Sequence, residues 1–250
     1  MKCAHRFSFR FLFQFLLILS LLSAFSVCVS ASEEAAVPCP TTVAAADIHH
    51  ADRFEEKAKI VAEGRIDLVF LGDSITHFWD VAGKDVQEKY FGDLRHVNLG
   101  LGWNCTEHVL WELENIDSAK IAPRAVMLMI GTNNLGNKKN SPEEVAAGNA
   151  AIVKKVCELW PDAKLLLLGV FPRGNQPNDH YRALIAETNQ KLAQLADGQN
   201  VFFLDIGERF LDDDGILHKT ISPDFLHLTA DGYEIWGKAV SPILHGWVLE

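Results

Sequence analysis

Hydrophobic and polar residues alternate along the chain in a pattern that predicts parallel strands separated by helices. Five short apolar runs are each followed by an amphipathic segment or by a polar loop. The third run is apolar throughout, which is typical of a strand covered on both faces of a parallel sheet. The predicted strands are 66–71, 95–99, 125–130, 164–170 and 201–205, and the predicted helices are 49–62, 78–90, 106–116, 142–160, 180–196 and 229–245.

This order of elements predicts a single three-layer α/β/α domain with a mostly parallel, five-stranded sheet. Ligands of open α/β sheets bind at the edge where the carboxyl ends of the strands lie. The loops after the first three strands, and the segment before the last helix, carry Gly, Asn, Asp, Ser or His residues. We therefore expect one site at this edge of the sheet, formed by these loops.

The N-terminal segment has a composition of its own. Three basic residues within the first ten precede an apolar run over 11–29, and small residues follow as far as Ala31. This layout predicts a secretory signal peptide over 1–31, with export to the periplasm or the cell exterior after cleavage near Ala31. The run is also long enough for an uncleaved membrane anchor, and a lipoprotein linkage through Cys28 is a weaker alternative.

The residues after the signal peptide divide into a leader and a domain. The segment 32–47 is of low complexity and predicts a flexible leader, which leaves 48–250 as the folded domain. Cleavage of the signal peptide removes three basic side chains and no acidic ones, so the formal charge moves from −10 to −13. An acidic domain without a basic run disfavours nucleic acid as a partner. No stable membrane span is expected after cleavage.

The distribution of cysteines indicates neither a disulfide framework nor a metal centre. Cys39, Cys105 and Cys157 remain after removal of the signal peptide, and three cysteines cannot all pair. Their spacing matches no zinc pattern, and no cluster of His, Cys or Asp residues has the spacing of metal ligands. We therefore expect no disulfide, no metal and no other cofactor.

The first candidate for chemistry ends the first predicted strand. Gly72-Asp73-Ser74 closes an apolar run and presents a serine hydroxyl at the start of a helix. A helix N-terminus offers unpaired N–H groups and a positive dipole end to a developing anion. Ser74 is therefore either a nucleophile or a helix N-cap, and only its partners can distinguish the two roles.

Asp224 and His227 lie three residues apart, just before the last predicted helix. A serine hydroxyl is a poor nucleophile until a neighbouring base removes its proton. An imidazole can do so near neutral pH, and a carboxylate on its other nitrogen fixes the tautomer and stabilises the imidazolium. The alternative interpretation is an aspartate that caps a helix and a histidine on the surface.

Candidate oxyanion donors follow the second and third predicted strands. Asn133 comes directly after the third strand, where its amide could donate a hydrogen bond to an oxyanion. The loop after the second strand contains Gly100, Gly102 and Trp103, whose backbone N–H groups could supply a second donor. Both segments are also rich in turn-forming residues, so plain turns are the alternative interpretation.

Several other polar or aromatic residues receive structural interpretations. Thr76, His77 and Trp79 follow Ser74 and could line a pocket, although Trp79 is expected to pack its helix against the sheet. Arg173 is expected either at the edge of the site or in a salt bridge. His49 and His50 are interpreted as solvated helix residues.

Taken together, the candidate residues resemble the four sequence blocks of the SGNH (GDSL-type) hydrolase superfamily. The blocks are Gly72-Asp73-Ser74, 100–104, Gly131-Thr132-Asn133 and Asp224-x-x-His227. Segments 104–111, 131–134 and 171–174 further resemble the catalytic subunits of platelet-activating-factor acetylhydrolase and their bacterial relatives. The resemblance covers 67–247 and implies a flavodoxin-like α/β/α sandwich with carboxylic ester hydrolase activity.

The resemblance also implies a role for each matching residue. Ser74 would be the nucleophile, His227 the base and Asp224 its orienting acid. Asn133 and the backbone N–H of Ser74 would be oxyanion donors. The chain departs from the family pattern at Trp103, which follows Gly102 and occupies the position of a donor glycine. A backbone donor can tolerate this change if its dihedral angles allow, and the indole would restrict the acyl group to acetyl or similarly short chains.

The sequence thus predicts a secreted serine esterase that acts on a small acylated substrate, either an acetylated glycan or a lipid. An O-acyltransferase would use the same residues and pass the acyl group to a sugar hydroxyl instead of water. A non-catalytic glycan-binding domain is the third hypothesis, but binding alone does not explain the joint occurrence of Ser74, Asn133, Asp224 and His227. The resemblance also admits a homodimer, because relatives often dimerise, and the sequence leaves the oligomeric state open.

Overall fold

The computed structural model describes residues 40–46 and 49–249, and every structural statement below refers to these residues. The predicted signal peptide over 1–31 and most of the predicted leader over 32–47 lie outside them. Among the helices of the described segments, none combines the length and the apolar character that a membrane span requires.

Five parallel strands form one sheet in the order β2-β1-β3-β4-β5. Their bounds are β1 Leu68–Gly72, β2 His96–Asn98, β3 Ala125–Met129, β4 Lys164–Leu168 and β5 Val201–Leu204. This is the flavodoxin-like order, and ligands of such sheets bind where the strand order reverses, between β1 and β3. The predicted fold class is confirmed, and the reversal lies where the sequence predicts the site.

Helices cover both faces of the sheet, as a three-layer sandwich requires. Residues of α1, α4, α5 and α6 pack on the first face, and residues of α3 and α7 pack on the second face. The α-helices in the described part of the chain are α1 Ala51–Glu63, α2 Ser74–His77, α3 Lys84–Phe91, α4 Thr106–Asn115, α5 Pro142–Leu159, α6 His180–Leu192 and α7 Ala230–Leu249.

The first strand shows why the site rests on a rigid support. Successive side chains of a strand point to opposite faces, so Val69 and Leu71 enter the first core while Leu68 and Phe70 enter the second. All four are completely buried. Burial of each such side chain is worth roughly 1.5–3 kcal/mol, so the strand is anchored on both sides up to the residues that precede Ser74.

The prediction of a single helix over 78–90 is wrong. After α2 the chain forms a 3-10 turn, Phe78–Asp80, and then a break before α3. Gly83 lies in this break, where a Cβ atom would come within 2.7 Å of the Tyr233 ring. The break allows the fully buried Trp79 to pack against Tyr233, with ring centroids 4.7 Å apart, so Trp79 is a core residue as expected.

One described part of the predicted leader is packed rather than free. Residues Pro40–Thr42 form a 3-10 turn, and Thr41 is buried. The Thr41 hydroxyl donates to the carbonyl of Glu144 (2.7 Å), and its own carbonyl accepts from the Thr106 hydroxyl (3.0 Å). These bonds join the segment to α4 and α5. The expectation of flexibility is therefore wrong for this short stretch.

Candidate active site

Asp73, rather than Ser74, caps the helix that follows β1. The Asp73 carboxylate accepts a hydrogen bond from the backbone N–H of Ile75 at 2.9 Å. This bond satisfies one of the donors that a helix N-terminus leaves unpaired. The N-cap interpretation of Ser74 is therefore not needed, and its hydroxyl is available for another partner.

That partner is His227. The Ser74 Oγ atom lies 2.9 Å from His227 Nε2, and His227 Nδ1 lies 2.7 Å from an Asp224 carboxylate oxygen. A neutral imidazole that donates from Nδ1 to Asp224 leaves Nε2 as an acceptor for the serine hydroxyl. The structure therefore brings together the three residues that the sequence singled out, in the order that nucleophilic catalysis requires.

The turn before α7 holds Asp224 and His227 in this arrangement. One Asp224 oxygen accepts from the backbone N–H groups of Leu226 (3.1 Å) and His227 (2.8 Å). Phe225, between them, adopts a left-handed backbone with φ of 61°. Partial burial raises the pKa of the Asp224 carboxyl, but the hydrogen bonds with His227 outweigh it, and the net pKa lies below its usual value. Asp224 is thus a stable carboxylate beside the imidazole.

Asn133 contributes an amide to the same pocket. Its Nδ2 donates to the carbonyl of Asn104 at 2.9 Å, and its Oδ1 accepts from Asn137 Nδ2 at 3.1 Å. Both bonds fix the orientation of the amide. A primary amide carries two N–H groups, so Asn133 has a second donor beyond the bond to Asn104, and the side chain lines the cleft beside Ser74.

The loop after β2 brings Gly102 and Trp103 to the same cleft. Trp103 has a φ of 68°, in the left-handed region that favours glycine. In the described parts of the chain, neither the Gly102 N–H nor the Trp103 N–H donates a hydrogen bond. Tryptophan therefore keeps a glycine-like backbone here, and both N–H groups are available as donors to a ligand.

An arginine from α1 holds this loop in position. The Arg53 guanidinium donates to the carbonyls of Asn98 (3.2 Å) and Gly100 (3.0 Å) at the start of the loop. It also pairs with Asp80 (2.9 Å), which Lys57 contacts at 3.0 Å. Burial raises the pKa of Asp80, but hydrogen bonds from Asn98 and Lys57 and the charge of Arg53 lower it to about 2. Asp80 is therefore a permanent anion between two cations.

We call the cavity around the nucleophile the Ser74 cleft. Its volume is about 370 Å³, and it is lined by His50, Ser74, His77, Phe78, Gly102, Trp103, Asn133, Asn137, Arg173, Leu226 and His227. The Phe78 ring stacks on the His227 imidazole with centroids 5.1 Å apart, which limits rotation of the imidazole. Arg173 lies at the edge of the site, which is one of the two positions expected for it from the sequence.

His50 lines the Ser74 cleft and is not simply a solvated helix residue. Its ring meets His77 edge-on, with centroids 5.4 Å apart. It also lies so close to Gly102 that a Cβ atom there would collide with its Nε2. A larger residue at 102 would therefore require the His50 ring to move.

His77 is a second imidazole in the cleft, but it is unsuited to act as the base. Burial, assisted by the positive charges of Arg53 and His50, lowers its pKa to about 4. Its Nδ1 is buried and has no hydrogen-bond partner among the described residues. His227 is the imidazole with both a serine and a carboxylate partner.

The described residues contain no group of three or more His, Cys, Asp or Glu side chains arranged to hold a metal ion. Neither Cys105 nor Cys157 forms a disulfide among the described residues.

Comparison with known proteins places this geometry in a family. The model of the GDSL-like lipase/acylhydrolase family matches residues 70–235. The chain belongs to this family. It is also 38% identical over 168 residues to the platelet-activating factor acetylhydrolase IB subunit alpha2 of Rattus norvegicus, a match that covers 67% of this chain and 71% of the relative. The chain is accordingly a carboxylic ester hydrolase, as its sequence predicts.

Solved structures support the same fold at lower sequence identity. A GDSL-like lipase from Bacteroides thetaiotaomicron superposes with a TM-score of 0.66 at 16% identity, covering 78% of this chain and 97% of that one. An acetylxylan esterase from Geobacillus stearothermophilus superposes with a TM-score of 0.58 at 19% identity, covering 72% and 94%. These likenesses agree with the flavodoxin-like sheet order described above.

Sequence reasoning did not identify Arg53, His50 or Asn137 as residues of the site. Arg53 contacts Gly100, 47 positions away, and α1 reads as an ordinary charged amphipathic helix. One signal was available for Asn137, because it lies four residues after Asn133, a spacing that brings side chains together on a helix. The chain forms a π-helical turn there, Asn134–Lys138.

Proposed function

We propose that this ester hydrolase uses Ser74, His227 and Asp224 as a catalytic triad and forms an acyl-enzyme on Ser74. The observation that carries the proposal is the unbroken chain of contacts from Ser74 Oγ to His227 Nε2 (2.9 Å) and from His227 Nδ1 to Asp224 (2.7 Å). The second imidazole of the cleft, His77, has no comparable pair of partners.

In the acylation half-reaction, Ser74 Oγ attacks the carbonyl carbon of the ester while His227 Nε2 takes the hydroxyl proton. The new C–O bond leaves a negative charge on the former carbonyl oxygen. Ser74, Gly102, Trp103 and Asn133 line the cleft, and we assign the second N–H of Asn133 and the backbone N–H groups of the other three as donors to this oxyanion. His227 then gives its proton to the leaving alcohol as the ester bond breaks.

Deacylation repeats these steps with water. His227 Nε2 takes a proton from water, whose oxygen attacks the acyl carbon of the acyl-enzyme. The tetrahedral intermediate collapses as His227 returns the proton to Ser74 Oγ, and the carboxylic acid leaves. Asp224 remains ionised throughout and stabilises the imidazolium that forms in each half-reaction.

The substrate that we propose is a small ester of a short acyl group, acetyl above all, on a carbohydrate or a lipid. Two observations support a short acyl group. Trp103 lines the cleft beside Ser74, at the position where the family resemblance implies a glycine, and the relative with 38% identity is named an acetylhydrolase.

We also propose that the enzyme is exported after removal of residues 1–31. The basis is the sequence alone, namely basic residues before an apolar run over 11–29, followed by small residues as far as Ala31. N-terminal sequencing of the protein recovered from its native host tests this proposal. A mature N-terminus near residue 32 is expected, whereas an intact Met1 would indicate retention of the segment.

Histidine variants test the triad with a control that the chain itself supplies. His218 lies 2.6 Å from Asp212 in a second His–Asp pair, which is exposed and does not line the Ser74 cleft. We expect His227→Ala to lower kcat for p-nitrophenyl acetate by at least about 1,000-fold, and Ser74→Ala to do the same. His218→Ala should retain the activity of the unaltered protein. Similar losses in both histidine variants, or activity in Ser74→Ala, would contradict the triad.

A further inference from the structure

The Trp103 side chain is unusual in its exposure. Four large hydrophobic residues are exposed in the described segments. Trp103 is the aromatic residue among them, and 61% of its surface is exposed. Its left-handed backbone, with φ of 68°, is sterically unfavourable for a residue other than glycine. Such strain is concentrated at ligand-binding sites. An exposed indole on a strained backbone, beside the nucleophile, therefore points to a role in binding.

Trp103 lines two clefts. One is the Ser74 cleft, and the other, which we call the His108 cleft, has a volume of about 340 Å³. Asn137 also lines both clefts. The His108 cleft is lined by Ala46, His49, Trp103, Cys105, His108, Asn137 and Lys138. The two clefts therefore adjoin at Trp103 and Asn137, and the surface that can receive a substrate extends beyond the Ser74 cleft.

The chemistry of this surface matches a carbohydrate better than a lipid chain. A pyranose ring has an apolar C–H face that packs on an indole, and its rim of hydroxyl groups requires hydrogen-bond partners. Asn137 and Arg173 supply amide and guanidinium groups in the Ser74 cleft, and Lys138 supplies an ammonium group in the His108 cleft. A long acyl or alkyl chain instead requires a contiguous apolar wall.

The His108 cleft provides no such wall, because Ala46 and Cys105 are its apolar lining residues besides Trp103, whereas Phe78 and Leu226 line the Ser74 cleft. The other exposed large hydrophobic residues are Val43, Val81 and Leu249, and none of them lines the Ser74 cleft or the His108 cleft. In the His108 cleft Trp103 is thus the large apolar side chain among small and polar residues, which suits a sugar ring better than a long alkyl chain.

We propose that Trp103 is the platform on which a sugar ring of an O-acetylated oligosaccharide packs. The acetylated sugar occupies the Ser74 cleft with its ester at the nucleophile, and the neighbouring sugar extends across the indole into the His108 cleft. This inference rests on the proposed function, since it assigns the substrate class of the same site. The reaction remains the ester hydrolysis described above, with water as the acyl acceptor.

The test compares variants at Trp103 on substrates that differ only beyond the ester. Trp103→Gly removes the indole and retains a backbone that suits a φ of 68°, while Trp103→Phe retains an aromatic face. The substrates are p-nitrophenyl acetate, acetylated xylose, and acetylated xylobiose and xylotriose. Val81→Ala is the control, because Val81 is exposed to the same extent, 61%, but lies outside both clefts.

We express each result as kcat/KM on the glycan relative to kcat/KM on p-nitrophenyl acetate, so that any effect on the Trp103 N–H donor cancels. In the unaltered enzyme this ratio should rise from xylose to xylotriose. In Trp103→Gly it should fall by about three- to tenfold for the longer substrates, with Trp103→Phe in between and Val81→Ala unchanged.

Two results would overturn the inference. One is a ratio in Trp103→Gly that equals that of the unaltered enzyme for every chain length. The other is faster turnover of a short-chain acetylated phospholipid than of every glycan, with the same dependence on Trp103. Failure of the triad itself would appear differently, as p-nitrophenyl acetate hydrolysis that survives Ser74→Ala.

Discussion

Replacement of Arg53 by Met should loosen the loop that carries the backbone oxyanion donors. The Arg53 side chain is only 13% exposed and makes three hydrogen bonds, to the carbonyls of Asn98 and Gly100 and to Asp80. Methionine keeps much of the aliphatic length but none of the donors. Two of the lost bonds join α1 directly to the loop that leads to Gly102.

Lys57 supplies a closely matched control. Its side chain is 12% exposed, and it contacts the same Asp80 oxygen at 3.0 Å, but it makes no hydrogen bond to the loop. Either single replacement leaves Asp80 paired with the remaining cation, so neither variant bears the full penalty of an isolated buried charge. The difference between the variants therefore reports the contacts of Arg53 with the two carbonyls.

The structure sets the size of the expected effects. A hydrogen bond to a charged group contributes about 1.5–3 kcal/mol, so loss of the two bonds to the loop should lower the free energy of unfolding of Arg53→Met by about 3–6 kcal/mol beyond Lys57→Met. Misplacement of donors by a fraction of an ångström should lower kcat for p-nitrophenyl acetate about tenfold, with KM little changed. In Lys57→Met, kcat should stay within about twofold, since the loop is untouched.

Urea denaturation and steady-state kinetics on the two purified variants measure both effects. If Arg53→Met loses stability but keeps kcat, the loop does not depend on Arg53 for its catalytic geometry. Equal losses of kcat in both variants would show that Asp80, rather than the loop carbonyls, transmits the effect. Either result would refute the reasoning.

Two further predictions concern the acyl group and the nucleophile turn. Because Trp103 lines the Ser74 cleft, p-nitrophenyl acetate should be hydrolysed much faster than p-nitrophenyl octanoate. Comparable rates for the two esters would contradict a short acyl pocket. Burial raises the pKa of Asp73 to about 7, so the folded chain retains a proton that the unfolded chain releases near pH 4. The free energy of unfolding should therefore fall by up to roughly 4 kcal/mol as the pH rises from about 4 to 7. Urea titrations should show a flatter profile for Asp73→Asn, and an identical profile would exclude Asp73 as the cause.

The sheet and its site were predictable because local pattern and global fold agree there. Each strand is a short apolar run, and the parallel order brings the loops after β1 and β3 to one edge. Ser74 and Asn133 lie in those loops, and their types suit the chemistry. The turn at Asp224 was predictable for the same reason. A carboxylate three residues before a histidine can accept a hydrogen bond from the backbone N–H of that histidine and also orient its ring.

The missed features depend on contacts that no local pattern encodes. The break within 78–90 reflects the approach of Tyr233 to Gly83, two residues 150 positions apart. His50 and Arg53 enter the site because α1 packs beside the loop after β2, although its residues have the spacing of an exposed helix. The cap role of Asp73 became clear only from the geometry of its carboxylate.

Covalent labelling of the nucleophile tests the central claim most directly. A fluorophosphonate reacts with an activated serine and forms a stable phosphonyl ester, which intact-protein and peptide mass spectrometry can locate. We predict one adduct per chain, on the peptide that contains Ser74, with labelling abolished in Ser74→Ala and strongly slowed in His227→Ala. The absence of an adduct, or an adduct on another residue while p-nitrophenyl acetate is hydrolysed, would contradict the assignment of Ser74 as the nucleophile.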